Sequence, residues 1–324
     1  MPGIKKPRKG ALAFWPRKRA KRIYPVITRY PEVEKVKLLA FAGYKAGMTH
    51  VIVVDNRKGS PTFGQEITVP ITVLDCPPLK VIGLRAYEST VKGLKAISEV
   101  YTKDLPKDLE KKIKVKPNEE NLKKIESQLG KVSRIRLIIC TQPRLSGIGK
   151  KTPEVFEIEV GGKDAKEKFE YTKQLLGKEI SISDVFREGE VVDAIAVTKG
   201  KGMAGPVKRF GAKIQVRKAK KKLRHIGSLG QERPGKVRYT VPMAGQLGFW
   251  VRTELNKWLV KIGKGEEITP KAGFKRYGVI KTTYALLEGS VPGPKKRLVM
   301  LREAIRPPKV RFLPPQIKEI IKGG

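Results

Sequence analysis

Short apolar runs, rich in β-branched residues and separated by glycine and proline, dominate the first third of the chain. Two such runs flank Gly43–Gly47, and the second ends in turn residues at Asp55 and Asn56, so the pattern predicts a hairpin. Further strand-like runs cover Glu66–Leu74 and Leu79–Tyr87. Strands at this spacing are typical of a β-barrel or a β-sandwich.

The pattern changes over residues 102–178, where helical segments alternate with strands. Asn118 precedes a short helical segment that it can cap. The apolar run Ser133–Thr141 predicts a buried strand, and a second helix is expected to begin after Asp164 and to stop at Gly177. The region therefore predicts an α/β insertion with an ordinary mixture of charges.

Strand patterns return at Glu179–Thr198 and again between Glu254 and Arg302. Trp258 belongs to one of these apolar runs and is expected in the core. Asp184 and Asp193 flank a tight turn, where carboxylates more often cap or hydrogen-bond the backbone than act as bases. The sheet is thus expected to be interrupted twice and resumed each time.

Between those strands, residues 199–253 hold no helical or strand period long enough to bury the segment in a core of its own. Fifteen Lys and Arg stand here against one acid, Glu232, and glycine recurs throughout. A segment with this much like charge repels itself and stays extended unless a polyanion neutralises it. RNA is the polyanion that we expect.

The charge of the whole chain is strongly uneven. The formal net charge is +39, yet 40% hydrophobic residues suffice for a real core. Residues 1–31 carry ten basic residues and no acid, and residues 290–324 carry nine basic residues and two acids. Charge of this size is informative about partners rather than fold. The sequence therefore predicts a nearly ordinary globular body with three basic extensions.

The N-terminal extension combines cations with aromatic rings. Prolines recur through it and block a long helix, and Phe14, Trp15 and Tyr24 lie among the basic residues. Such an arm can stack on bases while its cations meet phosphates. The alternative is a solvated tail with a targeting role, in which the aromatic residues would have no function.

Residues for catalysis, metals or cofactors are sparse. Cys76 and Cys140 lie far apart, which favours two reduced core thiols, and His50 and His225 lack partners at metal-ligand spacing. His225 is equally compatible with RNA contact and with structural packing. Gly200–Gly205 matches GxGxxG, but no apolar helix and no ribose-binding acid follow it, so we expect its glycines to let the backbone approach phosphates. No cofactor, metal site or catalytic residue is predicted.

Localisation follows from what the chain lacks. It contains no apolar run long enough to span a membrane, and no apolar region follows the N-terminal cations as in a secretory signal. An intracellular, cytoplasmic protein is expected. Binding to anionic membranes would require an amphipathic basic helix, and the prolines and glycines of the extensions disfavour one.

Several segments closely resemble the third protein of the large ribosomal subunit (the L-three family) in its archaeal and eukaryotic form. They are AGYKAGMTH (Ala42–His50), DVFREGEVVDAIAVTKGKGMAGPVKRFG (Asp184–Gly211), the stretch IGSLG to VRYTVPMAGQLGFWVRTELNK (Ile226–Lys257) and the arm PRKGALAFWPRKRAKR. The resemblance implies a translation-protein-type β-barrel whose arm and internal loop enter ribosomal RNA, with the loop near the peptidyl-transferase region. It also implies early binding in subunit assembly and no enzymatic activity.

Two positions depart from the family pattern. Glu232 stands where family members often carry a tryptophan at the tip of the loop. Trp250 replaces the histidine that usually follows the aromatic residue of the GQxGYH segment, and here it stands where the loop rejoins the body. Tip stacking and modification of that histidine are therefore not carried over to this chain.

The sequence thus predicts a mainly β fold with an α/β insertion. Its parts are an N-terminal arm (1–35), the first part of the barrel (36–101), the insertion (102–178), the rest of the barrel (179–198 and 254–302), the internal loop (199–253) and a C-terminal extension (303–324). The residues expected to contact RNA are Lys5, Lys6, Arg8, Lys9, Trp15, Arg17, Lys18, Arg19, Lys21, Arg22, Lys199, Lys201, Lys208, Arg209, Phe210, Lys213, Arg217, Lys218, Lys220, Lys221, Lys222, Arg224, His225, Arg233, Lys236, Arg238 and Arg252.

The predicted function is that of a structural constituent of the large subunit. Its expected partners are large-subunit ribosomal RNA and neighbouring large-subunit proteins, without a membrane, a small-molecule substrate or a homo-oligomer. Specificity is expected from RNA shape and from stacking by Trp15, Tyr24, Phe210 and Tyr239. The alternative from another class is an RNA-modifying enzyme with a basic docking arm, which would need a cofactor pocket.

Overall fold

The computed structural model describes residues 10–57, 59–233, 235–308 and 314–322. The chain divides into two compact units. Met1–Arg22 and Val197–Val251 form one, called here the basic unit. Ile23–Ala196 and Arg252–Gly324 form the other, called here the body. Residues Lys5, Lys6, Arg8 and Lys9, which were expected to contact RNA, lie outside the described residues.

The described fold is mainly β, as predicted. Its strands are β1 Ala40–Val54, β2 Glu66–Asp75, β3 Leu79–Thr90, β4 Gly93–Tyr101, β5 Arg134–Cys140, β6 Val155–Glu159, β7 Glu179–Ile180, β8 Val191–Val197, β9 Gly200–Ala204, β10 Gly245–Gly248, β11 Val251–Lys264, β12 Thr283–Glu288, β13 Leu298–Glu303 and β14 Gln316–Ile321. Its α-helices are α1 Asn121–Ser127, α2 Ala165–Leu175, α3 Pro206–Phe210 and α4 Gly265–Ile268. None of these helices has the length and apolar character that crossing a membrane requires.

The larger sheet of the body has the strand order β13-β8-β11-β12-β2-β1-β14, and β1 also pairs with β13. The order joins segments from both ends of the chain, as expected for a sheet that is interrupted and resumed. Strand β1 is its longest member and pairs along its length with β2, from Tyr44 opposite Asp75 to Val54 opposite Glu66.

The hairpin predicted around Gly43–Gly47 is wrong, because both glycines lie inside the continuous strand β1. A Cβ at Gly43 would stand 2.6 Å from the Cys76 sulfur, and one at Gly47 would stand 2.6 Å from the Phe274 ring. These glycines allow neighbouring side chains to approach the strand, which is a second common use of glycine besides turns. The turn predicted at Asp55 and Asn56 does follow the strand.

The second sheet of the body has the order β4-β3-β5-β6, with β7 paired to β3. It therefore takes strands from both sides of the boundary that the sequence analysis drew at residue 102. The buried strand predicted at Ser133–Thr141 is confirmed as β5. Asn118 does not cap α1, because its side chain instead accepts a hydrogen bond from the Tyr101 amide (2.7 Å) and donates to the Glu99 carbonyl.

The core of the body is apolar and contains Trp258, which is 4% exposed, as predicted. Cys76 and Cys140 are free, buried thiols, and burial raises the pKa of Cys140 to about 12. Asp193 is fully buried and accepts a hydrogen bond from the Arg302 guanidinium at 2.6 Å. Asp184 caps the turn through the Ser181 amide. The predicted turn contact is thus confirmed for Asp184, whereas Asp193 lies inside β8 and bonds Arg302 instead of the turn.

Candidate nucleic-acid interface

The basic unit is built on a small antiparallel sheet of β9 and β10. Gly245 pairs with Ala204, and Gln246 pairs with Met203. Beyond these strands, the Phe249 amide donates to the Lys199 carbonyl (3.0 Å). The sheet thereby joins the two ends of the internal loop, so that residues 205–244 project from a paired base.

The base of the loop depends on Gly248. This residue has a φ of 71°, in the left-handed region, and a Cβ there would overlap the carbonyl oxygen of Lys199. Glycine is therefore required at this position by both the backbone conformation and the close approach of the neighbouring strand. The sequence signal for this site was the recurrent glycine of the segment, which by itself did not reveal the pairing.

The GxGxxG match at Gly200–Gly205 lies on β9 and on the residue that precedes α3. The helix that follows has five residues and two cations, Lys208 and Arg209, in its last turn. A dinucleotide site needs a long helix packed on a parallel sheet. The local structure thus agrees with the sequence argument against nucleotide binding.

The N-terminal arm packs within the same unit through a cluster of rings around one guanidinium. Arg17 lies over Phe210 (4.2 Å to the ring centroid), Trp15 (5.5 Å) and Trp250 (5.6 Å). Trp15 also stacks on Phe210, with ring centroids 5.9 Å apart, and meets the edge of Tyr239 at 5.8 Å. We call these five residues the arginine–aromatic cluster. Each cation–π contact contributes about 0.5–2 kcal/mol, depending on its exposure to water.

Arg209 has a second structural role at the base of the loop. Its guanidinium donates to the carbonyl oxygens of Gln246 (3.0 Å) and Met243 (2.9 Å). A Cβ at Gly245 would stand 3.0 Å from the same guanidinium. Partial burial lowers the pKa of Arg209, although an arginine remains protonated at neutral pH. Arg209 thus holds α3 against the strand β10.

Most of the other predicted contact residues form an exposed cationic surface on this scaffold. The basic unit has 23 Lys and Arg and one acid, Glu232, over its full sequence. The exposed members are Lys18, Arg19, Lys21, Arg22, Lys199, Lys201, Lys208, Lys213, Arg217, Lys218, Lys221, Lys222, Arg224, Arg233, Lys236 and Arg238. Lys220 lies in a 3-10 helical segment, Arg217–Lys222, and its side chain is outside the described features. His225 is exposed too.

Five predicted residues are placed differently from this surface. Phe210 is 7% exposed, because Trp15 and Arg17 cover its ring, so it is not available for stacking on a base in this conformation. Trp15, Arg17 and Arg209 are half-buried in the contacts described above. Arg252 belongs to the body, where partial burial lowers its pKa.

The expectation that Tyr24 stacks on RNA is wrong. Its side chain is 6% exposed, and its hydroxyl donates to the Val155 carbonyl at 2.8 Å. Its ring packs near Phe156. An aromatic residue among cations gives the same sequence signal whether it anchors the chain to its core or faces solvent. Tyr239 is the opposite case, since 77% of it is exposed.

Sequence reasoning missed two residues at the base of the loop. Phe249 adopts a positive φ of 54°, its carbonyl accepts a hydrogen bond from the Ala20 amide (2.8 Å), and Arg19 lies 5.3 Å from its ring centroid. Met203 is 82% exposed beside a shallow cavity of about 290 Å³ that Lys201, Lys208 and Arg224 also line. The contact between Arg19 and Phe249 had one sequence signal, which was the alternation of Arg with aromatic residues in the arm.

The chemistry of this surface is electrostatic. Among the described residues, no three His, Cys, Asp or Glu side chains come together as metal ligands. The exposed groups are ammonium and guanidinium donors, which bind phosphate oxygens through charge-assisted hydrogen bonds. The surface is therefore suited to a polyanion.

Comparison with known proteins identifies the same relationship along the whole chain. A family model described as ribosomal protein L3 matches residues 1–321. The large ribosomal subunit protein uL3 of Methanothermobacter thermautotrophicus is 50% identical over 323 residues, covering 97% of this chain and 96% of that protein. The uL3 proteins of Archaeoglobus fulgidus (50% over 312 residues; 95% and 94% covered) and Methanococcus vannielii (50% over 327 residues; 99% and 98% covered) are equally similar.

Proposed function

The chain belongs to the ribosomal protein L3 family, and we propose that it binds large-subunit ribosomal RNA through the exposed cations of the basic unit. The family consists of structural ribosomal proteins and not of enzymes, and such proteins lie in the cytoplasm as part of the ribosome. The relatives are named for the large subunit. An RNA-modifying enzyme is not supported by any feature of the described residues.

The observation that carries this proposal is the separation of charge between the two units. The basic unit has 23 cations and one acid, whereas the body has 47 cations and 30 acids. In the body, many cations have acidic partners, for example Lys37 with Glu303 (2.9 Å) and Lys163 with Glu34 (2.6 Å). The cations of the basic unit have almost no acid to meet, so an external polyanion is their natural partner.

The mechanism follows from the properties of polyphosphates. Each phosphate that a Lys or Arg neutralises releases condensed counterions, and this release drives binding without sequence specificity. Shape and stacking add specificity, and the largely exposed ring of Tyr239 is available for stacking. The arginine–aromatic cluster fixes the arm to the base of the loop, so that both present their cations from one scaffold.

Finer features of the family remain proposals for this chain. We propose that the larger sheet closes into a barrel, which the pairing of β1 with both β2 and β13 supports. We also propose that the loop reaches the RNA around the peptidyl-transferase region and that the chain acts in subunit assembly as one copy beside neighbouring large-subunit proteins. Folding of the loop on binding accompanies these contacts, since so many like charges repel one another when free.

A salt titration tests the proposal. The probe is protein-free large-subunit RNA extracted from ribosomes of Methanothermobacter thermautotrophicus. Changing Lys213, Arg217, Lys218 and Lys221 to Gln should flatten the plot of log affinity against log salt by about 3, since each phosphate contact contributes roughly 0.7–0.9 to the slope. These side chains are exposed, and the substitutions leave β9 and β10 intact.

The matched control removes the same charge from the body. Lys92, Lys95, Lys123 and Lys166 are exposed and, among the described residues, form no ion pair. Changing these four residues to Gln should leave the slope nearly unchanged. A loop variant with the slope of the unaltered chain would contradict the proposal, because it would show that the loop makes no phosphate contacts.

A further inference from the structure

Two loops of the body, before and after β12, carry cations without any acid. Residues 269–282 contain Lys271, Lys275, Arg276 and Lys281, and residues 289–297 contain Lys295, Lys296 and Arg297. All of these except the half-buried Arg297 are exposed. The sequence analysis named no RNA-contact residue in either loop, although it counted residues 290–324 among the three basic extensions.

The first loop is held rigidly. The amides of Phe274 and Gly278 each donate to the other residue's carbonyl, both at 2.9 Å, which closes a tight turn. The ring of Tyr277 is buried, and its hydroxyl donates to the Asp75 carboxylate at 2.6 Å, which fixes the turn to the core. Arg276 has a φ of 66°, a left-handed conformation that is uncommon for a residue with a side chain. Lys275 and Arg276 are thereby fixed at the exposed side of the turn.

The second loop is tied to β1 through Lys45. The Lys296 amide donates to the Lys45 carbonyl (2.7 Å), and the Lys45 amide donates to the Arg297 carbonyl (3.0 Å). The buried ammonium of Lys45 donates to the Val291 carbonyl at 2.6 Å. Lys296 also has a positive φ, 68°. The backbone of this loop is therefore as constrained as that of the first.

A direct contact joins the two loops. The Lys295 ammonium donates to the Lys275 carbonyl at 2.8 Å. An ammonium has three donors, so this bond leaves Lys295 able to bind an anion as well. Lys275, Arg276, Lys295 and Lys296 consequently form one exposed surface, which we call the loop-pair patch. Lys271 and Lys281 flank it in sequence.

The patch gathers four exposed cations on two joined loops, and none of the four has an acidic partner among the described residues. Elsewhere in the body, Lys80 pairs with Asp104 at 2.6 Å and Lys261 with Glu267 at 3.1 Å. Among the described residues, the four cations of the patch form no ion pair. Like charges held together on rigid turns create a positive potential that favours an anion with several charges. Arginine in particular offers a fixed fork of donors to phosphate.

We propose that the loop-pair patch is a second RNA-binding site, which contacts the phosphate backbone of large-subunit RNA from the body itself. This inference rests on the proposed function, because it assumes that the chain binds that RNA. The site is sequence-independent, since backbone phosphates carry no base information. The patch gives the chain an RNA-binding surface whose conformation is already fixed before binding, in contrast to the loop of the basic unit.

The test uses the full chain and the same protein-free RNA. A patch variant with Lys275, Arg276, Lys295 and Lys296 changed to Gln should flatten the salt slope by about 3, as four lost phosphate contacts require. The body control, with Lys92, Lys95, Lys123 and Lys166 changed to Gln, should not. Thermal unfolding of both variants confirms that they fold. A patch variant with the slope of the control would overturn the inference.

A cross-linking arm gives a second measurement that does not depend on removing charge. Cysteine is introduced at Lys275 or, as the control, at Lys123, and is labelled with a photoreactive group; Cys76 and Cys140 are buried and stay unlabelled. The Lys275→Cys chain should cross-link to the RNA, and the Lys123→Cys chain should not. In assembled subunits, cross-links from position 275 to an acidic protein instead of RNA would likewise overturn the inference. The loop variant separates the two proposals, because its slope flattens only if the proposed function holds.

Discussion

The two units of this chain differ in how their charges are balanced. The body has 47 cations and 30 acids, and it buries Trp258, Asp193 and an extended apolar core between its sheets. The basic unit has 23 cations and one acid, and rings gathered around Arg17 form much of its packed interior. The body thus balances its charges internally, whereas the basic unit exposes its charges from a small aromatic centre. The difference teaches that a highly charged segment can be partly ordered without being neutral.

The largest expected difference between the units concerns stability. Trp258→Ala should lower the free energy of unfolding by about 3–5 kcal/mol, because it removes a large buried side chain from the core of the body. Tyr239→Ala should change it by less than about 0.5 kcal/mol, since that side chain is largely exposed. Urea denaturation followed by circular dichroism measures both. Equal losses would remove the distinction between the two units.

A smaller effect is expected from the arginine–aromatic cluster. Arg17→Lys keeps the charge but loses the planar guanidinium that lies over three rings, at a cost of about 1 kcal/mol. The arm should then separate from the loop more often, and trypsin should cut the free chain faster at Lys18 and Arg19. Lys21→Arg, at an exposed residue, serves as the matched control and should leave the cleavage rate unchanged. The salt slope of RNA binding should stay the same in both, because no charge is lost.

The last expected effect is absent at neutral pH and appears only at alkaline pH, in the stability of the body. Burial raises the pKa of Cys140 from an unfolded value of about 8.5 to about 12, so the buried thiol favours the protonated form. Its contribution to stability is fully present below the unfolded pKa and is lost as pH rises through the folded value. Burial also raises the pKa values of Tyr44 and Tyr277, which act in the same direction.

The contribution of the Cys140 thiol to stability is therefore measured by comparing the unaltered chain with the Cys140→Ala variant. Between pH 8 and pH 11, the denaturation midpoint of the unaltered chain should fall more steeply than that of Cys140→Ala. The same burial should keep Cys140 unreactive toward a thiol reagent at pH 8 until the body unfolds. Rapid labelling of the folded chain would show that the thiol is accessible, which would contradict its place in the core.

Much of this arrangement could be predicted from the sequence, because it depends on the amino-acid composition and on the spacing of apolar residues. The runs at Glu66–Leu74 and Leu79–Tyr87 became strands, Trp258 became a core residue, and the exposed cations of the loop followed from charge alone. The positions that failed depend on long-range packing. Gly43 and Gly47 look like turn residues until Cys76 and Phe274 are placed against them.

The candidate site shows the same limit. Tyr24 and Trp15 occur in the same kind of local sequence, yet Tyr24 is bonded to Val155 and Trp15 is stacked on Phe210. In each case the partner is more than 100 residues away, so no local pattern distinguishes them. The grouping of the four cations in the loop-pair patch could not be predicted from the sequence either, because the contact between Lys295 and Lys275 forms only when the loops on either side of β12 meet.

The central claim is that the loop of the basic unit has few backbone hydrogen bonds of its own and becomes ordered when it binds along RNA. In the described structure, the backbone hydrogen bonds of this loop are few and join residues close in sequence, such as Gln215 with Leu223 and Ala219 with Val216. Val51–Val54, in contrast, pair on both sides with β2 and β14. Amide hydrogen exchange on the full chain, with and without protein-free large-subunit RNA, tests this claim most directly. We expect the amides of residues 213–219 and 221–233 to exchange rapidly in the free chain and slowly in the complex, while those of Val51–Val54 stay slow in both. Loop amides as protected as Val51–Val54 in the absence of RNA would contradict the account.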